Sequence, residues 1–277
     1  MSGAPEIWPQ DPWGRVLNGA LDLHTLDANC LDIAQTAADL AFERFEDALH
    51  SVYLSGSMAR GLSYDGSFII VLRHMRQAVG IDLFCAAAAL RVQKLHPEIQ
   101  SCTFEVFCWD EVFPADGCFS HPRFRIGVNS IAIAGRDLKR LIAPQKLTPA
   151  AANAQIVGMV GRLQNLRHRL KAVATESRVR ATSRQFAQIA LTGAFACVMT
   201  AEQIYSEDFE TMARYLSLNL PDNQQSIDLL VKLSAQGTSS SLEALAITED
   251  AMTWLPDMAE NWLDAHNPKR DDTLKLV

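Results

Sequence analysis

The stretch from Ser51 to Leu72 restricts this chain more than any other. Two runs of β-favouring, apolar character, Ser51–Ser55 and Phe68–Leu72, flank a connection that carries Gly56, Gly61 and Gly66. Glycine allows backbone turns that a Cβ forbids, so this connection reads as a tight, structured turn rather than a plain linker. A fold built on such a segment sets the two runs as strands of one sheet and presents the glycine-rich turn at its end.

The flanking sequence supplies the partners of that sheet. Leu31, Ile33, Ala34, Ala37, Ala38, Ala41, Phe42, Phe45 and Leu49 recur at helical spacing, with Asp27 or Asn29 as N-cap, which predicts a helix ending near His50. A second helix is expected from about Met75 to Leu95, and a strand from Cys102 to Trp109. A loop with Pro114, Gly117 and Pro122 follows, then a weaker strand or helix start near Ile126 to Ala134. Thr148-Pro149 is a helix start, with Thr as N-cap and Pro in the first turn. From there the chain reads as helical, with breaks near Ser177, Thr200, Pro221 and Gly237. The expectation is an α/β (α+β) protein. An irregular lead-in covers 1–28, a small mixed-sheet unit 29–145 and an all-helical unit 146–277.

The segment Gly56-Ser57-Met58-Ala59-Arg60-Gly61, followed by Gly66-Ser67 and a strand, resembles the signature of the polymerase-β-like nucleotidyltransferases. The small antibiotic adenylyltransferases and the minimal bacterial nucleotidyltransferases look most similar. The preceding helix and Gly135-Arg136-Asp137-Leu138-Lys139 also suit their layout. In that family Gly-Ser approaches a nucleotide triphosphate, and an Asp-x-Asp pair on the next strand binds two Mg²⁺ ions that clamp the attacking and leaving oxygens. A third carboxylate on a neighbouring strand completes the site or acts as base.

Carried over residue by residue, the resemblance makes Gly56, Ser57, Arg60, Gly66 and Ser67 the nucleotide or phosphate contacts. Counting from Ser67, the two metal positions fall on Phe68 and Ile70, which offer none of the hard oxygen ligands Mg²⁺ demands. Glu105 stands as the remnant third carboxylate, with Asp65 three residues ahead of the degenerate pair. Three readings follow. The first is a catalytically degenerate homologue that binds ATP, another NTP, a different anion or a partner protein, with no metal. The second is an active Mg²⁺-dependent enzyme, adenylylating a small molecule, an RNA or a protein through displaced carboxylates such as Asp65, Glu105 or Asp110. The third is a regulatory or structural subunit of a hetero-oligomer that pairs with an active relative, its interface the apolar face around Phe68 and Ile70; a homo-oligomer is the other assembly expected.

Other features bear on partners. Arg162, Arg167, Arg169, Lys171, Arg178, Arg180 and Arg184 face a single acid, Glu176, between 162 and 184. That local excess of +6 in a chain of net charge -7 reads either as a phosphate or RNA groove or as a solvated helix face. Arg162, Arg167, Arg169 and Lys171 are its candidate groove residues. Arg162 and His168 have a spacing similar to that of helical ribonucleases often encoded beside minimal nucleotidyltransferases, but Leu163 stands where those carry a polar residue. Cys102, Cys108, Cys118 and His121 match no common zinc spacing, and the cysteines of the strand run read as small buried hydrophobes. The apolar stretch Ile189–Met199 falls short of the ~20 residues of a membrane helix. With no basic or apolar signal region at residues 1–15, the expectation is a cytoplasmic protein without a membrane partner.

Overall fold

The apolar run after Gly66 becomes the centre of a four-stranded sheet. The structure is a computed structural model and describes residues 7–74, 80–99, 101–172 and 175–275. It is mixed α+β, with a small mixed sheet in the N-terminal part and helices in the C-terminal part. The chain divides into two compact units, 1–146 and 147–277.

In the first unit, β1 is Arg15–Val16, β2 Leu49–Ser55, β3 Gly66–Leu72, β4 Cys102–Cys108, β5 Ser130–Gly135 and β6 Gln145–Lys146. The four longer strands lie in the order β4-β3-β2-β5. β2 is antiparallel to both β3 and β5, whereas β3 and β4 run parallel. Parallel neighbours need a crossover, and α2 (Ile81–Leu95) supplies it. The expected onset of this helix near Met75 lies outside the described residues.

α1 (Ala28–Phe45) starts where Asp27 accepts the Cys30 N–H at 2.8 Å, so Asp27 rather than Asn29 is the cap. The helix stops before the predicted His50. Glu46 takes φ 43°, a left-handed value, and Leu49 already pairs with Leu72. α3 (Trp109–Val112) ends the β4 run one residue earlier than expected. The stretch expected as loop and then as strand or helix contains both elements: α4 (His121–Val128), capped by Ser120, and then β5.

Residues alternate across a strand, so the sheet has two faces. One face carries Val52, Leu54, Phe68, Ile70, Leu72 and Phe104 against Ile33, Ala37, Ala41 and Phe45 of α1 and Ala88 and Val92 of α2. The other carries Tyr53, Ile69 and Val71 against Val112 of α3, Ile126 of α4 and Leu138. Both faces are therefore closed.

The described part of the lead-in, from residue 7 on, packs into this unit. β1 pairs with β6, the Gly19 N–H donates to the Val128 carbonyl, and the Leu21 N–H to the Ala59 carbonyl at 2.8 Å. Trp8 is 1% exposed, and its indole N–H donates to the Val128 carbonyl at 2.7 Å.

The second unit is helical throughout: α5 (Pro149–Ile156), α6 (Met159–Ala172), α7 (Glu176–Glu202), α8 (Phe209–Asn219), α9 (Gln224–Gln236), α10 (Ser241–Ala251) and α11 (Leu255–His266). α7 continues through the break expected at Thr200. Its Phe186, Ala190, Leu191 and Ala194 are fully buried, making it the axis of this core. Gly193 leaves room for Met159: a Cβ there would meet the Met159 sulfur at 1.9 Å. Two buried amides close the unit. Asn267 Nδ2 donates to Asn153 Oδ1 at 2.8 Å, and Asn153 Nδ2 donates to the Asp271 carbonyl at 3.1 Å. No helix among the described residues is long and apolar enough to cross a membrane.

Gly135 ends β5 at φ 79°, and a Cβ there would lie 2.1 Å from the His50 carbonyl oxygen. Gly135→Ala therefore combines a left-handed backbone with a clash on main chain. It is expected to cost about 3 kcal/mol, read as a lower denaturant midpoint. A midpoint unchanged within error would show that β2 and β5 do not pair in this register.

Candidate functional site

The candidate site is built on the β2–β3 connection. Gly56 at φ 79° turns the chain out of β2, residues Met58–Arg60 make one 3-10 turn, and Gly61 at φ 68° ends it. The turn is held from within. The Met58 N–H donates to the Asp65 carbonyl at 3.2 Å, and the Leu62 N–H to the Ser57 carbonyl at 3.0 Å. The Ser57 hydroxyl lies 2.7 Å from that of Ser63 and donates to the Asp65 carbonyl at 3.3 Å, while the Asp65 N–H donates to Ser63 Oγ. Ser57 is thus engaged in stapling the turn shut.

Arg60 is 6% exposed, and its guanidinium lies 4.9 Å from the Trp8 ring centre. A desolvated cation over an indole face contributes about 2 kcal/mol. In this structure Arg60 anchors the lead-in over the turn instead of reaching outward. Gly66 is buried at the start of β3, where a Cβ would meet the Phe68 ring at 3.0 Å. Asp65, partly exposed, closes the turn ahead of it.

Phe68 and Ile70, the positions that the resemblance assigns to metal ligands, lie in the core. Phe68 and Ile70 are 0% exposed, and Phe68 stacks on Phe104 with ring centres 5.0 Å apart. This corrects the expectation of an apolar interface around them, because the face they occupy is filled by α1 and α2.

Glu105 is not on that face. It pairs in register with Ile69, as Thr103 does with Ser67, so Glu105 and Ser67 share the opposite side of the sheet. There Arg125 of α4 forms a charge-assisted pair with Glu105 and donates to Ser67 Oγ at 3.2 Å. The Arg125 side chain is 16% exposed and that of Glu105 38%. Glu105 is the only acid in β2, β3, β4 and β5. Asp110 lies exposed on α3. Among the described residues, no three His, Cys, Asp or Glu side chains are grouped so as to hold a metal ion.

Arg125 escaped the sequence reading because its stretch was taken as loop. The signal was present: Ser120-His121-Pro122 has the N-cap and first-turn proline of a helix start, and the Ser120 hydroxyl does accept the Arg123 N–H at 3.2 Å. Arg123, two residues from Arg125, has its pKa drawn down by burial. Tyr53 occupies the same side of the sheet. Its hydroxyl accepts the Leu138 N–H at 2.6 Å, and burial pushes its pKa from 10.0 to about 12.

The basic residues of the second unit do not form one groove. Arg162 and Arg169 are seven apart on α6 and share a face, whereas Arg167 is turned about 140° from Arg162. Arg162 donates to the Gln155 carbonyl at 3.0 Å beside a cavity of about 150 Å³ lined by Gln188, Ile189 and Thr192. Arg167 pairs with Glu249 of α10. Arg169, Lys171 and His168 are exposed. Compared with known proteins, the chain matches no family model and no curated protein.

Two outcomes test this geometry. Phe68→Asp, which places an acid at the first metal position of the family that the sequence resembles, is expected to unfold the first unit instead of creating a Mg²⁺ site, because an unpaired buried carboxylate costs several kcal/mol. Circular dichroism of that unit's melt reads it, and a folded, Mg²⁺-binding variant would contradict the strand's facing. Tyr53 favours the native state fully below pH 10, and that contribution is lost as pH rises from 10 towards 12, because the native phenol holds its proton longer. Tyr53→Phe is expected to flatten the fall in stability over that window in a urea titration.

Proposed function

We propose that this chain is a metal-independent relative of the polymerase-β-like nucleotidyltransferases. It binds a nucleotide or similar anion at the end of the sheet where Ser67 and Arg125 meet, and performs no nucleotidyl transfer. The observation that carries the reading is the Arg125–Glu105–Ser67 cluster on a strand surface that has one carboxylate and no second. In-line transfer with two cations needs several carboxylates converging on one point. Here the remnant acid is already satisfied by a guanidinium, while Phe68 and Ile70 face away into the core.

The hairpin between β2 and β3, the crossover to β4 and the Gly-Ser turn support the link to that superfamily. An arginine fork beside a serine hydroxyl suits a phosphoryl oxygen, which can take over the donors now given to Glu105. Gly56 and Ser57 then define the wall of the site, and Arg60 acts by fixing that wall from behind.

The test is thermal unfolding with ATP and with inorganic triphosphate, each with Mg²⁺ and with chelator. Ligand at a hundred times its dissociation constant should stabilise by about 2.7 kcal/mol, a rise of roughly 5–10 °C. The expected rise is the same with chelator and is lost in Arg125→Ala. Transfer of labelled AMP to any acceptor in the presence of Mg²⁺ would establish the active reading instead. Failure of every nucleotide and polyphosphate to bind would remove the ligand reading.

A further inference from the structure

Beside the end of α4, the 3-10 turn Leu138–Leu141 and the chain leading into β6 enclose a cavity of about 200 Å³ in the first unit. Its walls are largely apolar: Val16, Phe124 and Val128 are buried, and Ile142 lines the space with them. The volume is several times the ~30 Å³ share of one water in the liquid, and it exceeds the ~150 Å³ of an apolar cavity that takes benzene.

Three polar side chains stand in this lining, and two of them are left with unmet capacity. Lys139 and Asn18 meet at the Ser130 carbonyl, to which Nζ donates at 3.1 Å and Nδ2 at 3.0 Å. Asn18 is engaged at both ends, since its Oδ1 accepts the Ala20 N–H at 3.0 Å. Lys139 is not: its ammonium has three donors and a full charge, and the carbonyl takes one donor and neutralises no charge. Asp137, the nearest acid in sequence, caps the turn by accepting the Lys139 backbone N–H at 3.0 Å, and Lys139 pairs with no carboxylate among the described residues. Gln145 is set in register with Val16 by the β1–β6 pairing. Its Oε1 is buried with no hydrogen-bond partner among the described residues, a cost that a donor would recover.

We propose that this cavity binds a small hydroxylated monocarboxylic acid, of roughly eight to ten heavy atoms by comparison with the benzene cavity. The carboxylate pairs with Lys139, the apolar body lies between Val16 and Phe124, and the hydroxyl donates to Gln145 Oε1. An apolar pocket with a few placed polar groups is the usual form of a small-molecule site. The lining holds one cation and no acid, which matches a single negative charge. A phosphate carries up to two charges and is ordinarily held by several donors at once. The inference uses none of the groups assigned to the nucleotide reading and stands apart from it, although α4 carries both Phe124 and Arg125.

Isothermal titration calorimetry of the full chain with 4-hydroxybenzoate and with 2-hydroxyisocaproate is expected to give, for at least one of them, a dissociation constant below about 1 mM. The same acid without its hydroxyl, benzoate or isocaproate, should bind about tenfold more weakly. The uncharged amide of the acid should also bind about tenfold more weakly or worse, a comparison that needs no variant. Lys139→Met keeps the stem and should cancel the preference for acid over amide. Gln145→Leu should cancel the preference for the hydroxylated acid. Both side chains are partly exposed, so both variants should keep the native circular dichroism spectrum. Arg125→Ala should leave binding of the acid in place, which separates this site from the nucleotide reading. Failure of both acids to bind below about 1 mM overturns the proposal. So does an amide that binds as well as its acid, or binding that is unchanged in both Lys139→Met and Gln145→Leu. Inorganic phosphate that binds at Lys139 more tightly than either acid overturns it equally.

Discussion

A strand with no access to water on either face governs this protein's first unit. Phe68, Ile69, Ile70, Val71 and Leu72 are all 0% exposed, so β3 is a wall between two apolar layers. Such a strand cannot carry ionised groups, since each would lose its hydration with nothing to replace it. Polar chemistry is thereby pushed to the ends and edge of the sheet. There Ser67 still meets the surface, and Glu105 on the edge strand β4 is paired with the Arg125 guanidinium.

The Gly56–Gly61 turn shows how a glycine-rich segment that resembles a ligand loop is held together by its own groups. Its hydroxyls and amides are spent on one another, and its arginine lies beneath a tryptophan from the first described residues of the chain. Trp8 touches the turn through Arg60 and the end of α4 through the Val128 carbonyl. One side chain therefore ties together the segments that frame the sheet end. The shape of that end depends on the lead-in as much as on the strands.

Much of this architecture is legible in the residues. The hairpin strands, the β4 run, the helix before them and the Thr148-Pro149 start all follow from periodicity and capping, and the mixed α+β class follows from their order. What escaped has physical causes. A run such as Phe68-Ile69-Ile70-Val71-Leu72 lacks the alternation that tells one face from the other, because both are buried. Only pairing with β4 reveals that Glu105 sides with Ser67 and Ile69. Helix α1 overran in prediction because apolar spacing continues through Leu49 while Glu46 has already left helical space. The lead-in looked irregular because one well-placed tryptophan leaves no periodic trace. The basic run looked continuous because sequence adjacency hides the rotation that separates Arg162 from Arg167.

The paired amides of Asn153 and Asn267 have a consequence for the helical unit as an object. They bring the first helix of that unit beside the carbonyls of Asp271 and Asp272. Its opening and closing segments therefore lie side by side, joined by hydrogen bonds sheltered from water. A unit closed in this manner has a backbone path that is nearly a ring. Pulling either segment away exposes buried amides that are bonded to the other, so these two segments hold or fray together.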